Sequence, residues 1–357
     1  MKVMNSLEKE LCKEYGRKYG IYTGNGTTAM YLAFCALNMQ SKKVIFPAIS
    51  CTNPVNAAIY AGYEVNFCDV NEENFTIDIY YLEKMLKNGG YGIVVPTHIY
   101  GHLCNMSEIT ELCNRYGVVV LEDAAQASQL YGNDISITSF GHTKIFETVF
   151  GGGIVFTEGA DIYNTMCDIK EKLPHKPLNE NVIFDNYRTE YYKIVHQSDS
   201  EEEKNAELKK LQLKNCGLFI YHDEKNPQVL IELQNKQKII DLRKKKQQLY
   251  IELLNKKYVD IPQYTNENEV LWRFSFLYKG NREKLLQIVR EKGIDISSWY
   301  PSLAMIYKNE HLRNADNVSK HIVNLWLSQE HSEEQIIHEV AIINKCMETS
   351  YEKSTIN

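Results

Sequence analysis

Short apolar runs alternate with helical patterns along the first 160 residues of this 357-residue chain. The apolar runs are rich in Val and Ile and nearly continuous, which is typical of strands buried on both faces of a sheet. Between them, apolar residues recur at helical spacing. The pattern predicts strands at 42–47, 63–70, 91–97, 118–123, 135–140 and 153–158, and helices at 27–38, 53–61, 78–88, 106–116 and 161–172.

Strands that alternate with helices indicate an α/β fold whose mostly parallel sheet is covered on both faces. In such sheets, ligands bind beyond the carboxyl ends of the strands. Asp123 and Ser139 lie at two of these ends. We therefore expect their side chains to share one pocket.

The pattern changes after residue 172. Residues 173–225 are polar and are predicted to be irregular, with the charged run 199–210 as a solvated helix or loop. A long helical pattern begins at about residue 226, and a second α/β unit follows it. This unit is predicted to hold strands at 272–278 and 294–300 and helices at 281–292 and 332–347. We expect a large domain over 1–225 and a smaller C-terminal α/β domain over 226–357.

Composition narrows the location and the partners. The net charge of −6 argues against non-specific binding of nucleic acid. Nine scattered cysteines without a C-x-x-C pair indicate reduced thiols, not a disulfide framework or a zinc site. The charged amphipathic N-terminus lacks the apolar core of a signal peptide, and no apolar run approaches the ~20 residues of a membrane span. We therefore expect a cytoplasmic protein with no membrane partner.

An acid and an amine suggest the chemistry. Lys144 follows Asp123 by 21 residues, and each is placed at the end of a predicted strand. Such a pair suits pyridoxal 5′-phosphate: the acid keeps the ring nitrogen protonated and the amine captures the aldehyde as an imine. The alternatives are helix capping for Asp123 and a surface position for Lys144.

The segment 24–34 (GNGTTAMYLAF) places glycines and hydroxyl residues at the start of an apolar helix. Free N–H groups and the helix dipole make such a start an anion site, and Thr27 and Thr28 add hydroxyl donors. Plain N-capping by Asn25 or Thr27 is the ordinary alternative. The segment precedes the first predicted strand and matches neither the dinucleotide nor the Walker pattern, which argues against both of those classes.

Other candidates belong to the same predicted pocket. Gln126 lies one turn after Asp123 and either contacts the cofactor's ring oxygen or is a surface amide. Ser139 either holds the phosphate or is a turn serine. The glycines at 151–153 allow close backbone approach or a tight turn into the next strand.

Three more side chains near these strands leave their roles open. His142 is interpreted as a turn histidine or a substrate contact. His98 and Tyr100, after the strand at 91–97, are either pocket residues or structural hydrogen-bonding groups.

Taken together, these stretches resemble a known family. The chain is similar to the fold-type-I pyridoxal-phosphate aminotransferases of the DegT class, which mostly aminate keto-sugars attached to nucleotides. The resemblance covers most of the chain except roughly 173–225. The matching stretches are NGTTAM (25–30), 47–70, 94–109, VVVLEDAAQ (118–126), 139–156, 291–303 and 314–336.

The resemblance implies a seven-stranded, mostly parallel sheet and a role for each candidate. Lys144 is the imine-forming lysine, Asp123 contacts the pyridine nitrogen, and Gln126 contacts the ring hydroxyl. The phosphate is then bound by Ser139 together with Gly26, Thr27 and Thr28.

The chain also departs from the family's pattern. Cys51 occupies the place where many members stack an aromatic side chain on the ring, and Gly141 replaces a bulkier residue. The family usually supplies a phosphate-binding Asn from the neighbouring subunit of a homodimer with shared active sites. Asn186, in the Asn-Tyr-Arg run 186–188, is our candidate for that role, and the segment 221–226 is the rival alignment.

The function implied is transfer of an amino group, with glutamate as the donor by resemblance, to a keto-sugar. The expected acceptor is a nucleotide-linked keto-deoxysugar of surface-polysaccharide or natural-product biosynthesis. A small phosphorylated ketone is the alternative acceptor. Two other hypotheses remain. One is a sugar dehydratase or lyase, against which Lys144 argues because sugar-dehydrating relatives carry histidine there. The other is a non-catalytic binding protein.

Overall fold

The computed structural model describes residues 2–132, 134–223, 227–264 and 266–352. Strands and helices alternate along the first half, as the apolar pattern predicts. The strands are β1 (Tyr19–Thr23), β2 (Lys43–Pro47), β3 (Glu64–Cys68), β4 (Ile93–Val94), β5 (Val119–Asp123), β6 (Ile135–Ser139), β7 (Gly153–Thr157), β8 (Val259–Asp260), β9 (Phe274–Tyr278) and β10 (Ile322–Leu325).

The helices surround two sheets. Those before residue 200 are α1 (Ser6–Glu14), α2 (Gly26–Leu37), α3 (Thr52–Tyr60), α4 (Ile79–Asn88), α5 (Met106–Arg115), α6 (Ala160–Lys170) and α7 (Glu180–Gln197). Those after it are α8 (Glu201–Lys214), α9 (Gln228–Gln234), α10 (Lys236–Leu253), α11 (Arg282–Glu291), α12 (Leu303–Lys308), α13 (Arg313–His321) and α14 (Glu333–Glu352).

Within the described residues, β1 to β7 form one seven-stranded sheet in the order β1-β7-β6-β5-β4-β2-β3. The strands from β6 to β3 pair in parallel, whereas β7 is antiparallel to both β6 and β1. The predicted α/β class and mostly parallel sheet are therefore confirmed. Because β5 and β6 are parallel neighbours, Asp123 and Ser139 end at the same edge of the sheet.

Three sequence predictions about strands differ from the structure. The first strand, β1, was not predicted, because YGIYT is short and interrupted by glycine; pairing with β7 buries all five positions. The strand at 91–97 is reduced to Ile93–Val94. Residues 294–300 form no strand but make a single bridge between Ser297 and Asn324, and β9 pairs with β10 and β8 in an antiparallel sheet.

The prediction that 173–225 is irregular was wrong for α7, whereas the run 199–210, predicted as a solvated helix or loop, is a helix within α8. Ser200 caps α8 by accepting a hydrogen bond from the Glu203 N–H. On α7, the half-buried residues Ile183, Tyr187 and Tyr191 recur every fourth position and form one inward face. The weak polarity contrast of α7 explains why its pattern was missed.

The long helical pattern after residue 226 is divided at Asn235 into α9 and α10. Separate apolar clusters cover the two faces of the large sheet, and another lies between the small sheet and α10, α11 and α14. The domain boundary at 225/226 lies outside the described residues, so the two-domain division stays a prediction. No helix in the described part of the chain combines the length and the apolar character needed to cross a membrane.

Candidate functional site

Asp123 is the last residue of β5 and is 2% exposed. Its Oδ1 accepts a hydrogen bond of 3.0 Å from the Ala125 N–H. Burial raises the pKa of the carboxyl group, and this bond and the charge of Lys144 oppose the rise. A buried carboxylate is costly unless a positive group meets it, so the site suits a cationic ligand atom.

Lys144 lies in the turn between β6 and β7. Burial lowers the pKa of its amine, while the Cys51 thiol and the Asp123 carboxylate act in the opposite direction. Its Nζ lies 5.3 Å from the ring centroid of Trp272. The structure thus brings the predicted acid and amine close enough for each charge to act on the other's pKa, with the amine biased toward its neutral, nucleophilic form.

Two residues of the C-terminal half hold the lysine turn. The Trp272 indole donates from Nε1 to the Thr143 carbonyl at 2.5 Å. The Arg243 Nη2 donates to the Lys144 carbonyl at 3.4 Å, and its Nη1 donates to the carbonyls of Leu271 and Trp272 at 3.1 Å each. Sequence reasoning missed both residues, because no local pattern reports a contact across about a hundred positions.

The first turn of α2 faces the ends of β6 and β7. Asn25 caps the helix, its Oδ1 accepting from the Thr28 N–H at 2.8 Å, so the capping alternative describes Asn25 correctly. A Cβ placed on Gly26 would lie 3.1 Å from the Ser139 Cβ, and one on Gly153 would lie 2.5 Å from the Asn25 carbonyl carbon. Glycine at these positions therefore lets the helix start approach Ser139.

The start of α2 and Ser139 form the two sides of a space that is called the glycine cradle below. The hydroxyl groups at the glycine cradle are not equivalent. The Thr28 hydroxyl donates to the Phe219 carbonyl at 3.0 Å, so it serves the protein's own packing. Thr27 is 7% exposed at the helix start. Among the described residues, Ser139 Oγ makes two long contacts, of 3.4 Å each, with the Gly152 carbonyl and the Gly141 N–H. Long bonds of this kind are readily exchanged for a ligand oxygen.

Gln126 is 3% exposed, which rules out the surface-amide interpretation. Its Oε1 accepts from the Tyr100 N–H at 2.8 Å, and its Nε2 donates to the Tyr300 hydroxyl at 3.3 Å. The first bond fixes the amide's orientation. The Nε2 donor is therefore directed toward Tyr300. Burial raises the pKa of the Tyr300 hydroxyl, and the charges of Cys51 and Asp123 add to the rise.

Cys51 precedes α3 and makes no side-chain cap bond. Burial raises the pKa of its thiol. The charge of Lys144 opposes this rise, and the charge of Asp123 adds to it. The aromatic residues of α7 lie on this side of the pocket. Tyr187 exchanges hydrogen bonds with Gln212, at 2.8 and 3.2 Å, and Tyr191 stacks on Trp299 at 6.2 Å between ring centroids.

Asn186, our candidate phosphate ligand, is on the exposed face of α7, next to the inward-facing Tyr187. The fold of a single chain therefore does not bring Asn186 to that chain's own pocket. In the rival segment 221–226, residues 224–226 lie outside the described residues.

The structure separates the remaining candidates. His98 is fully buried, with Nε2 3.0 Å from Glu122 Oε1 and Nδ1 accepting from the Cys104 N–H, so its role is structural. Tyr100 is also buried, and its N–H supports Gln126. The side chain of His142 is 91% exposed, which favours the turn interpretation over a substrate contact.

These residues fit pyridoxal phosphate at both of its ends. The fit rests on a buried acid that no described cation pairs with inside 4 Å, on a pocket amine, and on a glycine cradle beside a loosely bonded serine. The donors at the start of α2 match a phosphate.

Comparison with known proteins agrees with this geometry. Residues 2–187 match the DegT/DnrJ/EryC1/StrS aminotransferase family. The GDP-perosamine synthase of Escherichia coli O157:H7 is 30% identical over 196 residues, which are 52% of this chain and 53% of that protein. The chain thus spans about half the length of the curated relatives it matches.

Solved structures resemble almost the whole chain. An aminotransferase from Psychrobacter cryohalolentis has a TM-score of 0.75 at 18% identity, covering 96% of this chain and 91% of that one. The E. coli GDP-4-keto-6-deoxy-D-mannose-3-dehydratase with bound hydrated PLP has a TM-score of 0.70 at 18% identity, covering 96% and 90%. At these identities the likeness establishes the fold.

Proposed function

Because this chain belongs to the DegT/DnrJ/EryC1/StrS aminotransferase family, we propose that it is a pyridoxal-phosphate-dependent aminotransferase that aminates a keto-sugar. The observation that carries the proposal is the pocket shared by the buried acid Asp123 and the amine of Lys144, whose pKa burial lowers. A structural pair would form a direct ion pair, whereas these two groups influence each other's pKa without one.

When bound, pyridoxal phosphate supplies an aldehyde that captures amines and a cationic ring that accepts electrons. Asp123 would hold the ring nitrogen protonated. Lys144 would hold the cofactor through its aldehyde carbon, and its free Nζ would accept the proton of the substrate's α-carbon. Gln126 Nε2 would donate to the ring oxygen, and Ser139, Gly26 and Thr27 would bind the phosphate.

The amino donor and the acceptor are also part of the proposal. We take glutamate as the donor and a nucleotide-linked keto-deoxysugar as the acceptor, with the enzyme acting in the cytoplasm. The support is that relatives such as GDP-perosamine synthase act in this chemical class. Two alternating half-reactions, first with the donor and then with the acceptor, predict ping-pong kinetics.

We further propose a homodimer in which each subunit presents Asn186 to the other's pocket. Its support is an exposed apolar surface near the site. Val149 and Phe150, in the same turn as Lys144, are 85% and 72% exposed, and Val182 on α7 is 58% exposed. Apolar surface of this kind is typical of interaction sites.

The first test is direct. Purified protein supplied with pyridoxal phosphate should be yellow, and borohydride should fix the chromophore to the chain. Lys144→Ala should abolish the fixation, because no other side chain at that place offers an amine. Lys308→Ala, at a surface ion pair with Glu64, is the matched control and should be fixed like the wild type.

Glutamate separates the alternatives. It should bleach the chromophore and yield 2-oxoglutarate in a single turnover, after which candidate keto acceptors can be screened against the amine-loaded protein. Chromophore binding without amino exchange would point to a dehydratase or lyase. A colourless protein that takes up no pyridoxal phosphate would favour a binding protein and overturn the proposal.

A further inference from the structure

The backbone of Thr143, the residue before the reactive lysine, is strained. Its φ of 71° lies in the left-handed region, and within the described part of the chain Thr143 is the only β-branched residue with such an angle. A β-branched residue in this conformation is a genuine outlier, because its side chain crowds the backbone. Such a conformation persists only where neighbouring groups hold it.

Two side chains hold the backbone of Thr143, one on each side of the residue. The Glu147 Oε2 accepts from the Thr143 N–H at 2.5 Å, and the Trp272 Nε1 donates to the Thr143 carbonyl at 2.5 Å. Hydrogen bonds to an ionised acceptor are the short and strong kind. Trp272 comes from the C-terminal half, whereas Glu147 lies in the lysine turn itself. The turn therefore supplies part of its own hold.

A surface ion pair is the other use that Glu147 could have. The His142 Nδ1 lies 3.7 Å from the same Oε2, and the two side chains are 91% and 28% exposed. An ion pair between exposed groups contributes little. The bond from the Thr143 N–H is much the shorter of the two contacts, so we take it as the main contact of Glu147.

The strained peptide sets the direction of the amine. After Lys144, the chain is anchored in the core by Ile145 and Phe146, each 2% exposed. The Lys144 carbonyl accepts from the Arg243 Nη2 at 3.4 Å. With the chain fixed on that side, the direction of the Lys144 side chain depends on the peptide before it. A relaxed φ at Thr143 would turn that peptide and move the Nζ within the pocket.

We propose that Glu147 is a positioning residue: by holding the Thr143 peptide in its left-handed conformation, it places the Lys144 amine to capture an aldehyde. The inference rests on the proposed function, in which that aldehyde belongs to pyridoxal phosphate. The hold needs a hydrogen-bond acceptor more than a charge. Burial lowers the pKa of Arg243 to about 10 and the charge of Glu147 opposes the fall, but a guanidinium stays protonated at neutral pH in either case.

The rate at which the full-length protein forms the yellow chromophore with pyridoxal phosphate tests the inference. Glu147→Met removes the acceptor, so we expect capture to be about 100-fold slower, the loss that follows from misplacing a reacting group by about 1 Å. Glu147→Gln keeps an acceptor and should recover most of the rate. The melting temperature of cofactor-free Glu147→Met should change little, because the released strain offsets the lost hydrogen bond.

A suppressor variant separates positioning from other effects. Glycine adopts a positive φ without steric cost, so adding Thr143→Gly to Glu147→Met should restore most of the capture rate. His142→Ala is the control, because it removes the ion pair and leaves the acceptor in place; it should capture the cofactor like the wild type. Melting curves show whether Glu147→Met folds, and Glu147→Ala carries the comparison if it does not.

Three results would overturn the inference: capture by Glu147→Met at the wild-type rate, equal slowing in Glu147→Gln and Glu147→Met, or no recovery with Thr143→Gly. Failure of the proposed function appears differently, as a wild type without a chromophore. Hydrogen exchange of the Thr143 N–H in the cofactor-free protein then still tests the hold. It should be about 10-fold faster in Glu147→Met than in the wild type, and equal rates would refute the inference by themselves.

Discussion

At the scale of single residues, the site depends on placing two ionisable groups where water cannot solvate them. Asp123 ends a buried strand, and Lys144 enters the same pocket from the next connection. Burial shifts the two pKa values toward each other, which favours the neutral amine and leaves the acid in need of a cation.

This environment predicts a pH-dependent stability for the cofactor-free protein. The pKa of Lys144 is lowered from 10.5 by burial, so between the lowered value and 10.5 the unfolded chain binds more protons than the folded one. The free energy of unfolding should therefore rise with pH across that window. Lys144→Met removes this slope, so its stability gain over the wild type should be largest near neutral pH and fade toward 10.5.

Urea denaturation at several pH values, with Lys308→Met as the control for loss of a surface lysine, measures this difference. A gain that grows with rising pH would show that the amine is not buried in the cofactor-free protein.

At the scale of elements, the glycine cradle depends on how closely the start of α2 approaches β7. Asn25 and Gly152 form a bridge there, and Gly153 lies against the Asn25 backbone. The two backbones touch at this point, which explains why the glycines at 151–153 are found where the chain packs against the start of α2.

Gly153→Ala tests this contact. The added Cβ would lie 2.5 Å from the Asn25 carbonyl carbon and 2.6 Å from the Gly26 nitrogen, so one element must move. We expect a loss of about 1–3 kcal/mol in stability, together with weaker uptake of pyridoxal phosphate because the Gly26 N–H moves away from Ser139.

Gly159→Ala is the control, because its Cβ would meet no atom closer than 3.5 Å. It should cost below about 1 kcal/mol, the loss of glycine at a helix N-cap. Denaturation and cofactor titration measure both variants, and equal effects would show that α2 does not need this close approach.

At the scale of the whole molecule, residues from both halves of the chain form the candidate site. The large sheet carries Asp123, Ser139 and Lys144, while Trp272 and Arg243 hold the lysine turn from the C-terminal half. Asn186 faces outward on α7, so any contribution it makes to a pocket must be to a partner subunit's pocket.

Complementation tests that arrangement. Lys144→Ala and Asn186→Ala are each expected to be strongly impaired, but a hybrid dimer has one pocket with Lys144 from one subunit and Asn186 of the partner subunit. Random mixing should restore about a quarter of the wild-type activity, because about half of the dimers are hybrids with one intact pocket.

Asn181→Ala, at another exposed position of α7, should leave activity unchanged. Light scattering should show two subunits per particle. No recovery on mixing, with both variants folded and dimeric, would exclude Asn186 as a cross-subunit ligand.

The local pattern of the sequence was sufficient for most strands of the large sheet, but not for β1, and for the acid, the amine and the glycine-rich helix start. Periodicity and turn chemistry are properties of neighbouring residues, so β2, β5, β6 and β7 and the ends they present could be predicted. The helix α7 could not, because it presents a mixed polarity. For α8 the pattern left a solvated helix and a loop open, and contacts such as Gln212 with Asn56, 156 positions apart, stabilise the helix.

The sequence by itself determined which reactive groups are present: a strand-end carboxylate, a lysine in the following connection and a helix start rich in glycine and hydroxyl groups. Only the tertiary structure decided what surrounds that chemistry. Trp272 reaches Thr143 across 129 positions, and Arg243 reaches Lys144 across 99. Burial and long-range packing set the pKa values and the orientation of Gln126, and such contacts leave no periodic trace in the chain.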